Sequence, residues 1–296
     1  MSARVKTHWE RYPQPPFVRP HTVVGDVRVL RGVSGGGLEP RDVYVYLPPG
    51  YEHTRKRYPV LYLQDGQNAF DDALAFAGEW GADDAAEALA AKGLPCIIVA
   101  VPNAGGQRMS EYNPWPRSSS KFGTGDAKGP AYLALLTNTI RGIVNLSFRT
   151  RTEPEYTGIG GSSLGGLISA YAALAHPDVF GYCIAMSPAL WFSFGEIFSF
   201  AAWPRARHAR FYVDIGGQEG RWKAESGVPT MVKDARHLRD VLTEHGHVVA
   251  YVEDKNGRHT EADWRRRFPA ALEWFLAPSR RPDGLQGFKH RLGDVW

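Results

Sequence analysis

The sequence lacks the cysteine content of a disulfide-rich secreted protein, because only Cys96 and Cys183 are cysteine among 296 residues. Both lie in apolar runs typical of core strands, so we expect two buried thiols and no disulfide. No apolar run approaches the length of a membrane span, and residues 1–20 lack the apolar stretch of a signal peptide. These absences favour a cytoplasmic protein that has no membrane partner.

The sequence also lacks an excess of charge of either sign. Its 35 Lys and Arg residues and 31 Asp and Glu residues give a formal net charge of +4. The two signs are interspersed, and the arginine runs 265–267 and 280–281 are typical of solvated surface, so we expect no nucleic-acid partner. The patterns H-E-x-x-H, paired C-x-x-C and G-x-x-x-x-G-K-[ST] are absent. We therefore expect neither a metal ion nor another cofactor.

What is present is an alternation of apolar runs and helix-forming runs. With 43% hydrophobic residues and no visible linker or repeat, we expect one domain over 1–296, with an N-terminal extension (1–20) and a C-terminal tail (279–296). The predicted strands are 22–30, 41–47, 58–63, 96–101, 156–159, 181–186, 211–215 and 248–253. The predicted helices are 83–92, 131–144, 164–175, 232–245 and 261–276. This alternation predicts an α/β fold, in which an antiparallel opening leads into a mostly parallel sheet with helices on both faces.

The most informative motif is G-x-S-x-G, formed by residues 161–165 with Ser163 at its centre. A short apolar run precedes the motif, and an alanine- and leucine-rich run follows it. This order predicts a strand, a tight turn and a helix, in which the flanking Gly161 and Gly165 let neighbouring backbone approach closely. Such a turn exposes the serine hydroxyl and makes Ser163 a candidate nucleophile.

Several blocks of sequence, taken in order, resemble the esterase D type of α/β hydrolase, a group that includes enterochelin esterases, feruloyl esterases and mycolyl transferases. The matching blocks are RDVYVYLPPGY (41–51), YPVLYLQDGQN (58–68), GIGGSSLGGL (158–167), HPDVFGYCIAMSPALWF (176–192) and the block 257–264. The resemblance covers roughly residues 23–276. It implies the α/β-hydrolase fold and a serine esterase.

A serine hydroxyl is a poor nucleophile, so it needs a base and an acid that orients the base. In the fold implied by the resemblance, the acid follows the serine and the histidine comes from the loop after the last strand. His259 is the histidine of that loop and is therefore the predicted base. Glu219, a few residues past the strand 211–215, fits best as the acid. Three other carboxylates remain alternatives: Asp214, Glu225 and Asp254.

Two backbone amides are candidates for the oxyanion hole. The N–H of Leu164 follows the candidate nucleophile directly and opens the predicted helix. The second donor is expected from the loop after strand 58–63. By its similarity to the corresponding loop of mycolyl transferases, the amide of Gln67 is the predicted donor.

Aromatic residues near strand ends are candidates for the substrate pocket. The long segment 102–130 contains Tyr112 and Trp115, and Trp191 and Trp222 follow two later strands. Long loops in compact domains are often functional. We expect these four side chains to wall a cleft suited to a sugar ring or an aryl acyl group.

The sequence thus predicts a serine-dependent carboxylic ester hydrolase that forms an acyl-enzyme. Its expected partner is a small ester, such as an acylated sugar, an aryl ester or a siderophore ester. Two alternatives remain: an acyltransferase that uses the same triad, and a non-catalytic binding protein on a hydrolase scaffold. The oligomeric state is not predicted.

Overall fold

A computed structural model describes residues 8–13, 20–115, 127–220 and 227–277. Within these ranges nine strands form one sheet. The strands are β1 (Glu10–Tyr12), β2 (Asp26–Gly35), β3 (Leu38–Leu47), β4 (Val60–Gln64), β5 (Ile97–Val101), β6 (Thr157–Ser162), β7 (Tyr182–Met186), β8 (Arg210–Gly216) and β9 (Val248–Asp254). The helices are α1 (Ala82–Ala91), α2 (Arg108–Glu111), α3 (Gly129–Ala134), α4 (Arg141–Ser147), α5 (Leu164–Ala175), α6 (Glu196–Ala201), α7 (Thr230–Glu244) and α8 (Glu261–Leu276).

The order of strands across the sheet is β1-β2-β3-β5-β4-β6-β7-β8-β9. The pairs β1–β2, β2–β3 and β3–β5 are antiparallel. From β5 to β9 every neighbouring pair is parallel. This topology confirms the predicted antiparallel opening and mostly parallel α/β-hydrolase sheet. The loops that follow the parallel strands therefore meet along one edge of the sheet, where ligands bind in open α/β folds.

Side chains of the central strands alternate between two apolar cores, one on each face of the sheet. In β7, Ile184 and Met186 pack on the face covered by α1 and α8. Cys183 and Ala185 pack on the opposite face with α5 and α7. Both faces are buried because strand side chains point alternately to the two sides.

The two cysteines are buried and unpaired, as predicted. Cys96 lies in the core beneath α1 and α8, whereas Cys183 lies in the core on the other face. Burial raises the pKa of the Cys96 thiol to about 12 and raises the pKa of the Cys183 thiol as well. Both are therefore protonated core residues of low reactivity.

The predicted elements differ from the observed ones where the chain is short or irregular. Strand β1 and helices α2 and α6 are not predicted, because three, four and six residues are too few to show a clear period. The helix predicted over 131–144 begins at Gly129 and contains a π-helical turn, Leu135–Ile140, between α3 and α4. The tail 279–296 lies outside the described residues. Among the helices that the structure describes, none is long and apolar enough to cross a membrane.

Candidate active site

Ser163 occupies a strained turn between β6 and α5, with φ 56° and ψ −124°. Its N–H donates to the carbonyl of Met186 (3.1 Å), and its own carbonyl accepts from the N–H of Ala189 (2.9 Å). These bonds to the end of β7 hold a backbone conformation that costs on the order of 1–3 kcal/mol in a residue other than glycine.

The two glycines of the motif are required by the close packing of this turn. A Cβ atom on Gly161 would lie 2.8 Å from the carbonyl carbon of Gly165, and a Cβ atom on Gly165 would lie 2.8 Å from Oδ2 of Asp65. Both distances are shorter than real Cβ contacts, so a side chain at position 161 would displace the backbone of the turn, and one at position 165 would displace the carboxylate of Asp65. The G-x-S-x-G pattern thus forms the strand–turn–helix that the sequence predicts.

His259 and Glu219 meet at the same edge of the sheet. Nδ1 of His259 lies 2.7 Å from Oε2 of Glu219, and the carboxylate is fully buried whereas 36% of the imidazole is exposed. The other oxygen, Oε1, accepts from the backbone N–H of Gly216 (2.9 Å). His259 precedes α8, and the indole of Trp264 packs edge-on against its ring at 4.9 Å between centroids. The imidazole is therefore in contact with both a carboxylate and an indole.

The two alternative carboxylates that the structure describes, Asp214 and Asp254, face arginine side chains. Asp214 is fully buried and lies 3.1 Å from the guanidinium of Arg267, without hydrogen-bond geometry. Burial raises the pKa of Asp214 to about 7, against the smaller opposing effect of Arg267. Asp254 is hydrogen-bonded to Arg266. Glu225 lies outside the described residues. Of the described carboxylates, Glu219 is the one whose geometry orients His259.

The loop after β4 approaches the turn of Ser163 and is braced by charge. Asp65 adopts the left-handed conformation (φ 56°), and its carboxylate accepts two hydrogen bonds from Arg108 at 2.7 Å each. Asn103 donates a third hydrogen bond to this carboxylate (2.7 Å). A Cβ atom on the next residue, Gly66, would overlap the backbone at the end of β5. The loop therefore passes so close to β5 that a side chain does not fit at position 66.

Gln67 follows at the tip of this loop. Its side chain accepts a hydrogen bond through Oε1 from the N–H of Asn103 (3.1 Å), so the side chain is directed to the loop after β5. Leu164 is the first residue of α5, where N–H groups have no partner within the helix. The amide of Gln67 thus belongs to the loop after β4, and the amide of Leu164 belongs to the turn before α5. These two segments are in contact where Asp65 packs against Gly165.

Ser163 and His259 line one cavity of about 880 Å³, and Gln67 lines it too. The remaining wall includes Leu74, Phe76, Asn103, Arg108, Glu261 and Trp264. Phe76 is 89% exposed, so its ring is available to a ligand. The aromatic side chains of the cavity are therefore Phe76 and Trp264, neither of which was predicted from the sequence as a pocket residue. The sequence feature that could have identified them is their position after a strand, since Phe76 follows β4 and Trp264 follows β9.

Three of the four predicted pocket aromatics, Tyr112, Trp115 and Trp191, are not among the residues that line this cavity. Tyr112 is completely buried, and its hydroxyl accepts a hydrogen bond from the N–H of Asp65 (3.1 Å). This burial corrects the prediction that Tyr112 contacts substrate, because its hydroxyl instead binds the backbone of the loop that contains Gln67. Trp115 packs edge-on against Tyr171 (5.4 Å).

Trp191, at 44% exposure, packs against the neighbouring Phe192 (6.0 Å). Trp222 lies outside the described residues. Within the described ranges, no group of three or more His, Cys, Asp or Glu side chains is arranged to hold a metal ion.

Several solved structures share this fold. The chain superposes on an IroE-like serine hydrolase from Shewanella oneidensis with a TM-score of 0.64 and 19% identity, over 82% of this chain and 80% of the other. The enterobactin esterase FES of Shigella flexneri gives a TM-score of 0.69 and 17% identity, over 88% of this chain and 61% of the longer one. A ferulic acid esterase gives 0.65 and 16% identity, over 84% and 97%.

Sequence comparison agrees with the structural one. An uncharacterized protein of Bacillus subtilis, YbbA, is 28% identical over 241 residues, which are 80% of this chain and 92% of that protein. The model of the Esterase family, described as "Putative esterase", matches residues 15–275. Because this match spans most of the sequence, the chain belongs to the esterase family.

Proposed function

We propose that this protein is a serine esterase in which Ser163, His259 and Glu219 form the catalytic triad. His259 accepts the hydroxyl proton of Ser163 through Nε2 while the hydroxyl oxygen attacks the ester carbonyl carbon. Collapse of the tetrahedral intermediate releases the alcohol, which takes that proton. His259 then deprotonates a water molecule, and the attack of this water on the acyl-enzyme releases the acid and restores Ser163.

One observation supports this assignment most strongly. The residue in the strained turn and the histidine held by Glu219 border the same cavity. A strained φ in a residue other than glycine, bordering a cavity that an oriented imidazole also borders, is consistent with a serine nucleophile of the G-x-S-x-G type. Membership of the esterase family supports ester hydrolysis as the reaction.

The oxyanion of the intermediate is assigned to the backbone N–H groups of Leu164 and Gln67. Such fixed donors stabilise the charge that develops in the transition state, and the loss of one typically costs about 10²–10³ in kcat. The hydrogen bonds from Arg108 and Asn103 to Asp65 support this role, because they fix the loop two residues before Gln67.

The substrate that fits the cavity best is a small ester with an apolar or aryl acyl group. Leu74 and Phe76 supply an exposed apolar wall, whereas the charge of Arg108 is already matched by Asp65. Structural neighbours described as enterobactin and ferulic acid esterases are consistent with an aryl group at this wall.

The test is hydrolysis of p-nitrophenyl acetate and p-nitrophenyl benzoate by the purified protein and by Ser163→Ala. The substitution should lower kcat by at least about 10⁴-fold with folding unchanged. Ser169→Ala is the matched control, because Ser169 is a buried serine of α5 whose hydroxyl donates to the carbonyl of Gly165. Turnover by Ser163→Ala near the wild-type rate would refute the proposal.

A further inference from the structure

A second strained serine lies behind the candidate acid. Ser187 follows β7 with φ 42° and is fully buried. Its backbone N–H donates to the carbonyl of Asp214 (2.7 Å) in the neighbouring β8. Positive φ is unfavourable for serine, so this conformation persists because surrounding contacts impose it.

The side chain of Ser187 has its full complement of hydrogen-bond partners. Nε1 of Trp264 and Nη2 of Arg267 each lie 3.0 Å from Oγ, and both groups can only donate. Oε1 of Glu219 lies 2.6 Å away on a third side. A hydroxyl has two acceptor sites and one proton. Since two donors occupy the acceptor sites, the proton of Ser187 is left with one direction, toward Glu219.

Arg267 cannot hold Glu219 in this way. Its guanidinium is shared among three carboxylates, at 3.1 Å from Asp214, 3.7 Å from Glu219 and 3.8 Å from Asp254. Its contact with Glu219 is beyond hydrogen-bond distance. Ser187 is therefore the side chain that donates a hydrogen bond to Oε1 of Glu219.

We propose that Ser187 is a positioning residue that fixes the carboxylate of Glu219 and thereby the orientation of His259. The inference rests on the proposed esterase function. The hydroxyl of Ser187 and the N–H of Gly216 hold Oε1, so Oε2 stays directed at Nδ1 of His259. Trp264 contacts both Ser187 and His259, because its indole N–H donates to the hydroxyl of Ser187 and its ring packs against the imidazole.

The test compares Ser187→Ala with Ser187→Gly. Both variants lack the hydroxyl, but glycine accepts positive φ without strain, so Ser187→Gly should unfold at a higher urea concentration than Ser187→Ala. If the hydroxyl orients the carboxylate, both variants should lose about 10- to 100-fold in kcat, the range for a hydrogen bond to a charged group. KM should stay within about twofold, because Ser187 does not border the cavity.

A spectroscopic measurement makes the test independent of turnover. The Nδ1 proton of His259, hydrogen-bonded to a carboxylate, should give a low-field proton resonance that moves or broadens in both Ser187 variants. Ser169→Ala removes another fully buried hydroxyl and should leave both kcat and this resonance unchanged.

Two outcomes would overturn the proposal. One is an unchanged kcat and an unchanged resonance in both Ser187 variants. The other is a loss confined to Ser187→Ala, since recovery in the glycine variant would assign the effect to backbone strain. Failure of the esterase proposal looks different: the wild-type protein would not hydrolyse esters, while the resonance would still report whether Ser187 orients the pair.

Discussion

Replacement of Glu219 by glutamine tests how the carboxylate acts, because the surrounding donors decide the orientation of the amide. Oε1 of Glu219 accepts from the hydroxyl of Ser187 and the N–H of Gly216. An amide nitrogen at that position would face two donors, so the amide oxygen must lie there. The NH₂ group then faces Nδ1 of His259. To accept from this NH₂ group, Nδ1 must be deprotonated, which places the imidazole proton on Nε2, where it blocks proton transfer from Ser163.

The expected loss is large for a substitution that preserves shape. A wrong tautomer and the loss of a charge partner for the imidazolium together cost a serine hydrolase about 10⁴ in kcat, which corresponds to about 5 kcal/mol. The assay is the hydrolysis of p-nitrophenyl acetate, with circular dichroism to confirm folding. Glu253→Gln is the control, because Glu253 pairs with Arg236 on the neighbouring α7 and does not line the cavity. A kcat of Glu219→Gln within tenfold of wild type would refute the reasoning.

Three further changes have defined outcomes. Gly66→Ala places a Cβ against the backbone of Val101, so we expect a loss of about 1–3 kcal/mol in the free energy of unfolding, measured with urea, and a fall in kcat as the loop shifts. Burial lowers the pKa of His247 to about 4. Below pH about 6.5 the unfolded chain therefore binds a proton on this histidine that the native state does not bind. The free energy of unfolding falls by up to about 3 kcal/mol as the pH falls from 6.5 to 4. Urea titrations across that range should show that the free energy of unfolding of wild type falls relative to that of His247→Gln. Phe76→Ala should raise KM about fivefold for p-nitrophenyl benzoate, for a ring contact of about 1 kcal/mol, and leave KM for the acetate unchanged; equal effects on both esters would place the aryl group elsewhere.

Helix and strand boundaries were predictable where local signals agree with the tertiary structure. Helix α5 has the predicted bounds, because G-x-S-x-G defines its start and Pro177 lies just beyond its end. Helix α8 also has its predicted bounds despite Pro269 in its interior. The side chain of Thr260 accepts from the N–H of Asp263 and caps this helix at its start.

The cavity wall was less predictable, because the direction of a loop side chain depends on partners distant in sequence. Tyr112 is buried because its hydroxyl meets the N–H of Asp65, 47 positions earlier. Ser187, in a Ser-Pro pair after a strand, has the sequence signature of an ordinary turn. Its partners Trp264 and Arg267 lie 77 and 80 positions away, so no local pattern indicates the contact with Glu219.

The central claim is that Ser163 is a covalent nucleophile. The most direct test is reaction with a fluorophosphonate, followed by mass spectrometry of the digested protein. The account predicts one modified peptide, with the phosphonyl group on Ser163, and no labelling of Ser163→Ala or of heat-denatured protein. An unmodified Ser163 in folded protein, or equal labelling of Ser163→Ala, would contradict the account.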